Sequence, residues 1–153
     1  MSVSIGIDIG GTKCALSVGA CAADSVKILH REEFPTCGAQ GPARPTEVLE
    51  EFARRISNYQ LPSTNYRLKN IGISCGGPLD SKTGVIMSPP NLPGWDNVPV
   101  VKFFEDRFNV PVHLQNDANA CAYAEWKFGA GRGTRNMVFM TFGTGLGAGI
   151  IID

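Results

Sequence analysis

Apolar and polar residues alternate through residues 4–9, and the alternation stops at the glycine pair Gly10 and Gly11. Two further segments rich in apolar and β-branched residues follow, at residues 14–18 and 25–34. A period of two is typical of β-strands, and glycine between strands marks a tight turn. The pattern therefore predicts an antiparallel meander of three strands, with the glycine pair as its first turn.

The period then changes to that of a helix at residues 46–59, where acidic side chains come early and arginines late, as the helix dipole favours. Two more helices are predicted, at residues 100–108 and 118–128. Further strands are predicted at residues 70–75, 110–114, 137–142 and 149–152. A meander followed by alternating helices and strands indicates an α/β fold with a mixed sheet and flanking helices.

A long loop rich in proline and glycine separates the predicted strand at 70–75 from the helix at 100–108. Loops of this length inside a compact domain are usually functional. The Asn91 carboxamide in this loop and the backbone amides of the segment before it, at Gly77, are suited to bind sugar hydroxyls. We expect Trp95 to be a buried anchor of the loop and not a stacking platform, because Trp side chains are mostly buried.

The charge balance excludes some partners. The 153 residues carry 14 basic and 14 acidic side chains, without a basic stripe. Binding to nucleic acid or to a membrane surface therefore has no electrostatic basis. No apolar run reaches the length of a membrane-spanning helix, and the N-terminus lacks the pattern of a signal peptide. We expect a cytoplasmic protein.

The cysteines are dispersed, and no two of them have the CxxC spacing: Cys14, Cys21, Cys37, Cys75 and Cys121. Such a set argues against a disulfide framework and against a zinc site within this chain. We expect most of these thiols to be small core residues.

The first glycine turn carries chemistry-bearing residues on both sides of Gly10 and Gly11. Asp8 precedes it, and Thr12 and Lys13 follow. Glycines let backbone N–H groups approach phosphate oxygens, the Thr12 hydroxyl adds a donor, and Asp8 offers Mg²⁺ an oxygen ligand, directly or through water. The alternative is a plain hairpin with an exposed acid.

A second glycine-rich segment, residues 143–149, contains Thr144, Gly145 and Gly147 and lies between two predicted strands. It is neither a Rossmann fingerprint, because no helix follows, nor a Walker loop, because no Gly-Lys-Ser/Thr follows. A glycine turn between strands can still cradle phosphate through its amides. Together, the two segments predict two phosphate loops that face each other across a cleft.

Asn116 and Asp117 stand where a strand meets a helix. An acid there can simply cap the helix. Alternatively, Asp117 is a base that orients a hydroxyl nucleophile and accepts its proton, since helix amides favour the ionised carboxylate.

Five motifs in this order resemble the ROK sugar kinases: Asp-Ile-Gly-Gly-Thr-Lys (8–13), Gly-Ile-Ser-Cys-Gly-Gly-Pro-Leu (72–79), Pro-Pro-Asn-Leu-Pro-Gly-Trp (89–95), Asn-Asp-Ala-Asn-Ala (116–120) and Gly-Thr-Gly-Leu-Gly-Ala-Gly (143–149). The resemblance implies the actin-like, ribonuclease-H-like ATPase fold and ATP- and Mg²⁺-dependent phosphorylation of a hexose, most often at the 6-hydroxyl. It implies phosphate contacts at residues 8–13 and 144–149. Asp117 is the implied base, and Asn116, Asn91 and Gly77 are the implied sugar contacts.

The resemblance also implies a division of the chain, with an N-terminal domain at residues 1–134 and the first strands of a second domain at residues 135–153. Family members are about twice as long and carry a Glu-x-Gly-His sugar motif, commonly a zinc site, and an adenosine-binding region after the second phosphate segment. We therefore expect an N-terminal fragment that is inactive alone, from a kinase that can form a homodimer. The hexose stays open among glucose, fructose, mannose, N-acetylglucosamine and rarer sugars.

Three alternatives remain. A ROK transcriptional repressor resembles the kinases over this region, although its helix-turn-helix domain would have to precede residue 8. A second alternative is a non-catalytic module that senses sugar or nucleotide. A third is another member of the same ATPase superfamily, which the Asn116 and Asp117 pair and the Asn91 loop disfavour.

Overall fold

The computed structural model describes residues 2–22, 25–38, 41–42, 44–60, 66–142 and 145–153. The helices of this part are α1 (Pro45–Asn58), α2 (Val100–Phe108) and α3 (Asp117–Phe128). The long strands are β1 (Ser2–Ile9), β2 (Lys13–Cys21), β3 (Val26–Pro35), β6 (Arg67–Cys75), β9 (Val112–Asn116), β10 (Met137–Phe142) and β11 (Leu146–Ile151). Four strands have two residues each: β4 (Cys37–Gly38), β5 (Gly41–Pro42), β7 (Leu79–Asp80) and β8 (Val85–Ile86).

The central sheet has five strands in the order β3-β2-β1-β6-β9. The first three strands pair antiparallel, which confirms the predicted meander. Strands β6 and β9 continue the sheet in parallel with β1. The predicted α/β fold with a mixed sheet is therefore confirmed.

The core lies between one face of this sheet and the helices α1 and α2. Alternate residues of β1, including Ile5 and Ile7, are buried with Phe52 of α1 and Phe104 of α2. The opposite face of the sheet carries small and polar residues, and with α3 and β11 it lines a cavity of about 650 Å³. The sheet thus has one packed face and one face open to solvent.

Strands β10 and β11 form a separate two-stranded hairpin that packs on α3. The predicted start of the last strand, at residue 149, is wrong. Pairing of Phe142 with Leu146 and of Thr141 with Gly147 begins the strand at Leu146. The outward side chains of the hairpin and of the residue after it are apolar and exposed: Val138, Met140, Phe142, Leu146, Ile150 and Ile152.

The proline-rich loop is folded back on the core. Strands β7 and β8 pair with each other, and Ile86 forms a bridge with Val98. Trp95 and Leu92 are 1% and 2% exposed, respectively, so Trp95 is the buried anchor that the sequence favoured. This anchoring holds Asn91, which directly precedes Leu92 and is exposed, at the surface of the domain.

The expectation that most cysteines are core residues is wrong. Cys14 and Cys75 are buried, whereas Cys21 at the end of β2, Cys37 in the short strand β4 and Cys121 in α3 are exposed. Burial raises the pKa of the Cys75 thiol to about 12. Within the described residues, no three Cys, His, Asp or Glu side chains group as metal ligands. None of the described helices is long and apolar enough to cross a membrane.

Candidate active site

The C-terminal ends of three neighbouring parallel strands meet at one edge of the sheet. Asp8 in β1 is in register with Ser74 in β6, and Cys75 in β6 with Asn116 in β9. Because β1, β6 and β9 end at the same level, the segments that follow them are brought together. These segments are the first glycine turn, the Gly76–Gly77 corner and the start of α3.

The first glycine turn, residues 10–12, is tight. The N–H of Gly10 donates to the carbonyl of Lys13 at 3.2 Å. From the end of β3, the Thr36 hydroxyl donates to the carbonyl of Gly10 at 2.5 Å. The Lys13 ammonium donates to Glu33 at 2.8 Å, so this predicted phosphate contact is engaged in an exposed ion pair.

Two glycines bring the Asn91 loop against the turn and the α3 corner. A Cβ built on Gly11 would lie 2.4 Å from the Asn91 carbonyl oxygen, which only glycine avoids. A Cβ built on Gly76 would lie 3.7 Å from both terminal atoms of the Asn91 carboxamide and 3.9 Å from Oδ2 of Asp117. The Asn91 carboxamide and the Asp117 carboxylate therefore flank the same small space.

Both side chains of the corner at Asn116 and Asp117 accept a hydrogen bond from the start of α3. Asn116 is the N-cap of α3, and its Oδ1 accepts from the Ala118 N–H at 3.1 Å. Asp117 is the first helical residue, and its Oδ1 accepts from the same N–H at 2.8 Å. Its Oδ2 lies on the side of Gly76, and its side chain is exposed. Asn116 also approaches Gly77, whose Cβ position is 3.6 Å from the Asn116 Nδ2.

The pKa of the Asp8 carboxyl is shifted by its surroundings. Partial burial raises the pKa of its carboxyl above the usual value, a hydrogen bond from Ser74 opposes the rise, and the negative charge of Asp117 adds to it. The negative charges of Asp8 and Asp117 are close enough to interact. A divalent cation bound between them would offset this repulsion, because Mg²⁺ prefers oxygen ligands.

The second glycine segment lies only partly within the described residues. Thr144 is outside them, and Gly145 borders open space. Gly147 is not in a turn but in β11, where a Cβ would lie 2.9 Å from Thr141 and 3.2 Å from Ala118. The segment therefore packs against Ala118, the residue after Asp117. A glycine at position 147 is needed for this packing on α3.

Sequence reasoning missed two residues of this site, Thr36 and Ser74. Ser74 alternates with the buried residues of its strand and is in register with Asp8, so a correct pairing of β1 with β6 would have found it. Thr36 is distant along the chain from the turn that it contacts, and the residues around it form no motif.

Known proteins of one family are similar to this chain over nearly its whole length. The ROK family model matches residues 4–153. A glucokinase of Streptomyces coelicolor is 35% identical over 152 residues, which are 99% of this chain and 44% of the glucokinase. A xylose repressor of Bacillus spizizenii is 35% identical over 150 residues, 98% of this chain and 37% of the repressor. The chain thus spans less than half the length of these relatives.

A solved structure gives the same picture of the fold. The ROK family glucokinase from Streptomyces griseus, crystallised in complex with glucose and AMPPNP, superposes with a TM-score of 0.79 and is 33% identical. The superposition covers 98% of this chain and 44% of that chain. The fold is therefore the actin-like ATPase fold of these kinases. With the family match extending over residues 4–153, this chain belongs to the ROK family.

Proposed function

We propose that the protein to which this chain belongs is an ATP-dependent sugar kinase that phosphorylates a hexose at its 6-hydroxyl. The observation that carries the proposal is the convergence of Asp117 and Asn91 at Gly76, beside the glycine turn that follows Asp8. A base, a hydroxyl-binding amide and an anion-binding turn at one point are what phosphoryl transfer to an alcohol needs, since positioning and charge neutralisation supply most of its catalysis.

On the nucleotide side, we assign the ATP phosphates to the backbone of Gly10, Gly11 and Thr12. The second glycine segment, with Thr144, Gly145 and Gly147, is the opposing phosphate contact in this proposal. The Lys13 side chain is paired with Glu33, so its contribution comes from its backbone position at the end of the turn.

Asp8 is the residue that would hold Mg²⁺. Burial raises the pKa of its carboxyl, and the nearby negative charge of Asp117 adds to the rise. When bound, Mg²⁺ neutralises phosphate charge. Ser74, in register with Asp8 on the neighbouring strand, lowers the pKa of the Asp8 carboxyl.

On the sugar side, Asp117 accepts the proton of the attacking hydroxyl. Its Oδ1 is held by the Ala118 N–H at 2.8 Å, which leaves Oδ2 facing the space beside Gly76. Asn91, Asn116 and the backbone of Gly77 line the same space and are assigned to the other sugar hydroxyls. The base is thus oriented by its own helix before substrate arrives.

We also propose that residues 1–134 form the first domain and that residues 135–153 begin a second one. The hairpin β10–β11 is a sheet of its own with an exposed apolar face, which supports this division. The second wall of the sugar site and the adenine pocket would then be built elsewhere in the protein, so that residues 1–153 alone are inactive. A cytoplasmic location and a homodimer stay predictions.

A second candidate is a sugar-responsive regulator, because a xylose repressor matches this chain as fully as a glucokinase does. The two candidates share the sugar site and differ in catalysis. A regulator needs no base, whereas the kinase requires Asp117. The retained Asp117 favours the kinase.

The test is a coupled ADP-release assay over a panel of hexoses. It compares the protein expressed from its complete natural reading frame with the 153-residue chain. We expect sugar-dependent ADP release only from the former, and the panel identifies the hexose. If the complete protein binds sugar and Mg²⁺-ATP without turnover, the regulator becomes the better assignment.

A further inference from the structure

The first glycine turn is held from behind by a strap, defined here as Thr36 and Cys37. Thr36 is 3% exposed although its side chain is polar. Its hydroxyl donates to the carbonyl of Gly10 at 2.5 Å, and its N–H donates to the carbonyl of Thr12 at 3.0 Å. The Cys37 thiol donates to the carbonyl of Gly11 at 3.8 Å. The strap therefore engages the carbonyls of three successive residues.

This pattern determines where the amides of the turn point. In a trans peptide, the C=O of one residue and the N–H of the next lie in one plane and point in opposite directions. With the carbonyls of Gly10 and Gly11 directed at the strap, the N–H groups of Gly11 and Thr12 are directed away from it. Successive N–H groups that point to one side form a concavity that binds anions.

The Thr36 hydroxyl cannot be replaced by a methyl group without loss. The hydroxyl donates its proton to the Gly10 carbonyl, so it acts as the acceptor for the buried Cys14 thiol at 3.3 Å. Valine has the same shape but would leave the Gly10 carbonyl and the thiol without this partner. A polar group left unpaired in a buried place is costly, and the turn can avoid that cost by rotating its peptide planes.

We propose that Thr36 is a positioning residue for phosphate binding, which holds the Gly10 carbonyl so that the N–H groups of Gly11 and Thr12 face a phosphate of the nucleotide. The inference rests on the proposed kinase function and adds to it a residue that is itself buried and acts through the turn. It predicts that the loss of the Thr36 hydroxyl weakens nucleotide binding more than sugar binding.

The kinetic test compares Thr36→Val and Thr36→Ser in the protein from its complete reading frame. Thr36→Val should raise the KM for ATP about tenfold, which is ~1.4 kcal/mol, and should leave the KM for the sugar within about twofold. Thr36→Ser keeps the hydroxyl and should stay near wild type. The matched control is Thr134→Val, which removes a similar hydrogen bond, from the hydroxyl to the Gly131 carbonyl at 2.7 Å. Thr134 lies beyond the C-terminal end of α3, whereas Asp117 begins this helix.

A purely structural role would look different. In that case Thr36→Val would lower the melting temperature and affect both KM values alike, or would affect neither, and either result overturns the proposal. A Thr36→Ser variant that behaves like Thr36→Val would overturn it as well, because the hydroxyl would then not be the group that matters.

A second measurement does not depend on turnover or on the folding of a variant. Inorganic tripolyphosphate with Mg²⁺ is titrated into the ¹⁵N-labelled wild-type protein, and the N–H signals of Gly11 and Thr12 should shift on binding. Unshifted signals at saturating tripolyphosphate overturn the inference. If the wild-type protein turns over no hexose while these signals shift, the kinase proposal fails and the phosphate-binding turn stands.

Discussion

Gly11 and Asn91 are in backbone contact: a Cβ at position 11 would lie 2.4 Å from the Asn91 carbonyl oxygen and 3.0 Å from its Cβ. The turn proposed to bind phosphate therefore touches the loop proposed to bind sugar. The spacing between the two substrates depends on a residue without a side chain.

Gly11→Ala should therefore impair both substrate sites at once. The added methyl group meets backbone atoms, which cannot rotate away, so the turn and the loop must separate. A displacement of about 1 Å between reacting groups can cost on the order of a hundredfold in rate, and we expect a loss of that size in kcat/KM. Gly72→Ala is the control, because nothing lies within 4 Å of its added Cβ. Equal kinetics for the two variants would contradict the contact.

Asp117→Ala should abolish turnover and leave the fold intact. The carboxylate is exposed and faces the cleft, and Asn116 remains as the N-cap of α3. We expect more than a hundredfold loss of kcat, with circular dichroism and melting temperature near those of the wild type. A variant that retains a tenth of the wild-type rate would remove Asp117 from the role of base.

Gly149→Ala should weaken the packing of the β10–β11 hairpin on α3. A Cβ there would lie 2.5 Å from the Ala118 carbonyl oxygen and 2.5 Å from the Ala122 Cβ. Overpacking of this kind costs about 1–3 kcal/mol, measurable by urea denaturation. Gly6→Ala, also in a strand, meets its nearest atom at 3.9 Å and serves as the control. Equal stability of the two variants would show that the hairpin is not held there.

The β10–β11 hairpin should exchange its amide hydrogens much faster than the central strands β1 and β6. Within the described residues its two strands pair only with each other, so each has an open edge. Hydrogen exchange on the 153-residue chain, with its monomeric state verified, tests this. Slow exchange across residues 137–151 in a monomer would contradict it, and protection that appears only in an oligomer would indicate a partner at that edge.

Glu51→Gln should lower stability at neutral pH and not in strong acid. Arg54 and Arg55 both donate to Glu51, at 2.6–2.8 Å, and they lower the pKa of its carboxyl from 4.5 to about 2. A carboxylate with a lowered pKa stabilises the fold fully above the unfolded value of 4.5, and this contribution is lost as the pH falls to about 2.

Because the Glu51 site is partly open to solvent, we expect a difference of about 0.5–1 kcal/mol at pH 7. Urea denaturation at pH 7 and near pH 2 measures it. Glu50→Gln is the matched control on the same helix, since Glu50 pairs only loosely with Arg107, at 3.7 Å with both side chains about half exposed. A difference that persists unchanged near pH 2 would contradict the assignment to charge.

Much of the fold could be predicted from local sequence patterns. The helix predicted at residues 100–108 is α2 (Val100–Phe108), because its apolar residues repeat at helical spacing and a proline precedes it. The corner at Asn116 and Asp117 was predictable for a similar reason: an apolar strand, short polar residues and an alanine-rich helix follow one another without a gap.

Local patterns do not reveal contacts between residues that are far apart in the sequence. The bond from Thr36 to Gly10 depends on the end of β3 reaching back to the first turn, and no motif marks it. Gly147 looked like part of a turn because it stands in a run of glycines, whereas cross-strand pairing with Thr141 places it in β11. In both cases tertiary pairing decides between conformations that the residues themselves allow.

The position of α3 has a mechanical consequence. The helix starts at Asp117, and within its first two turns Ala118 and Ala122 receive Gly147 and Gly149 of the hairpin. A displacement of the hairpin would therefore act on α3 within about one helical turn, 5.4 Å, of Asp117. The direction of the Asp117 carboxylate is thus coupled to the packing of the hairpin on α3.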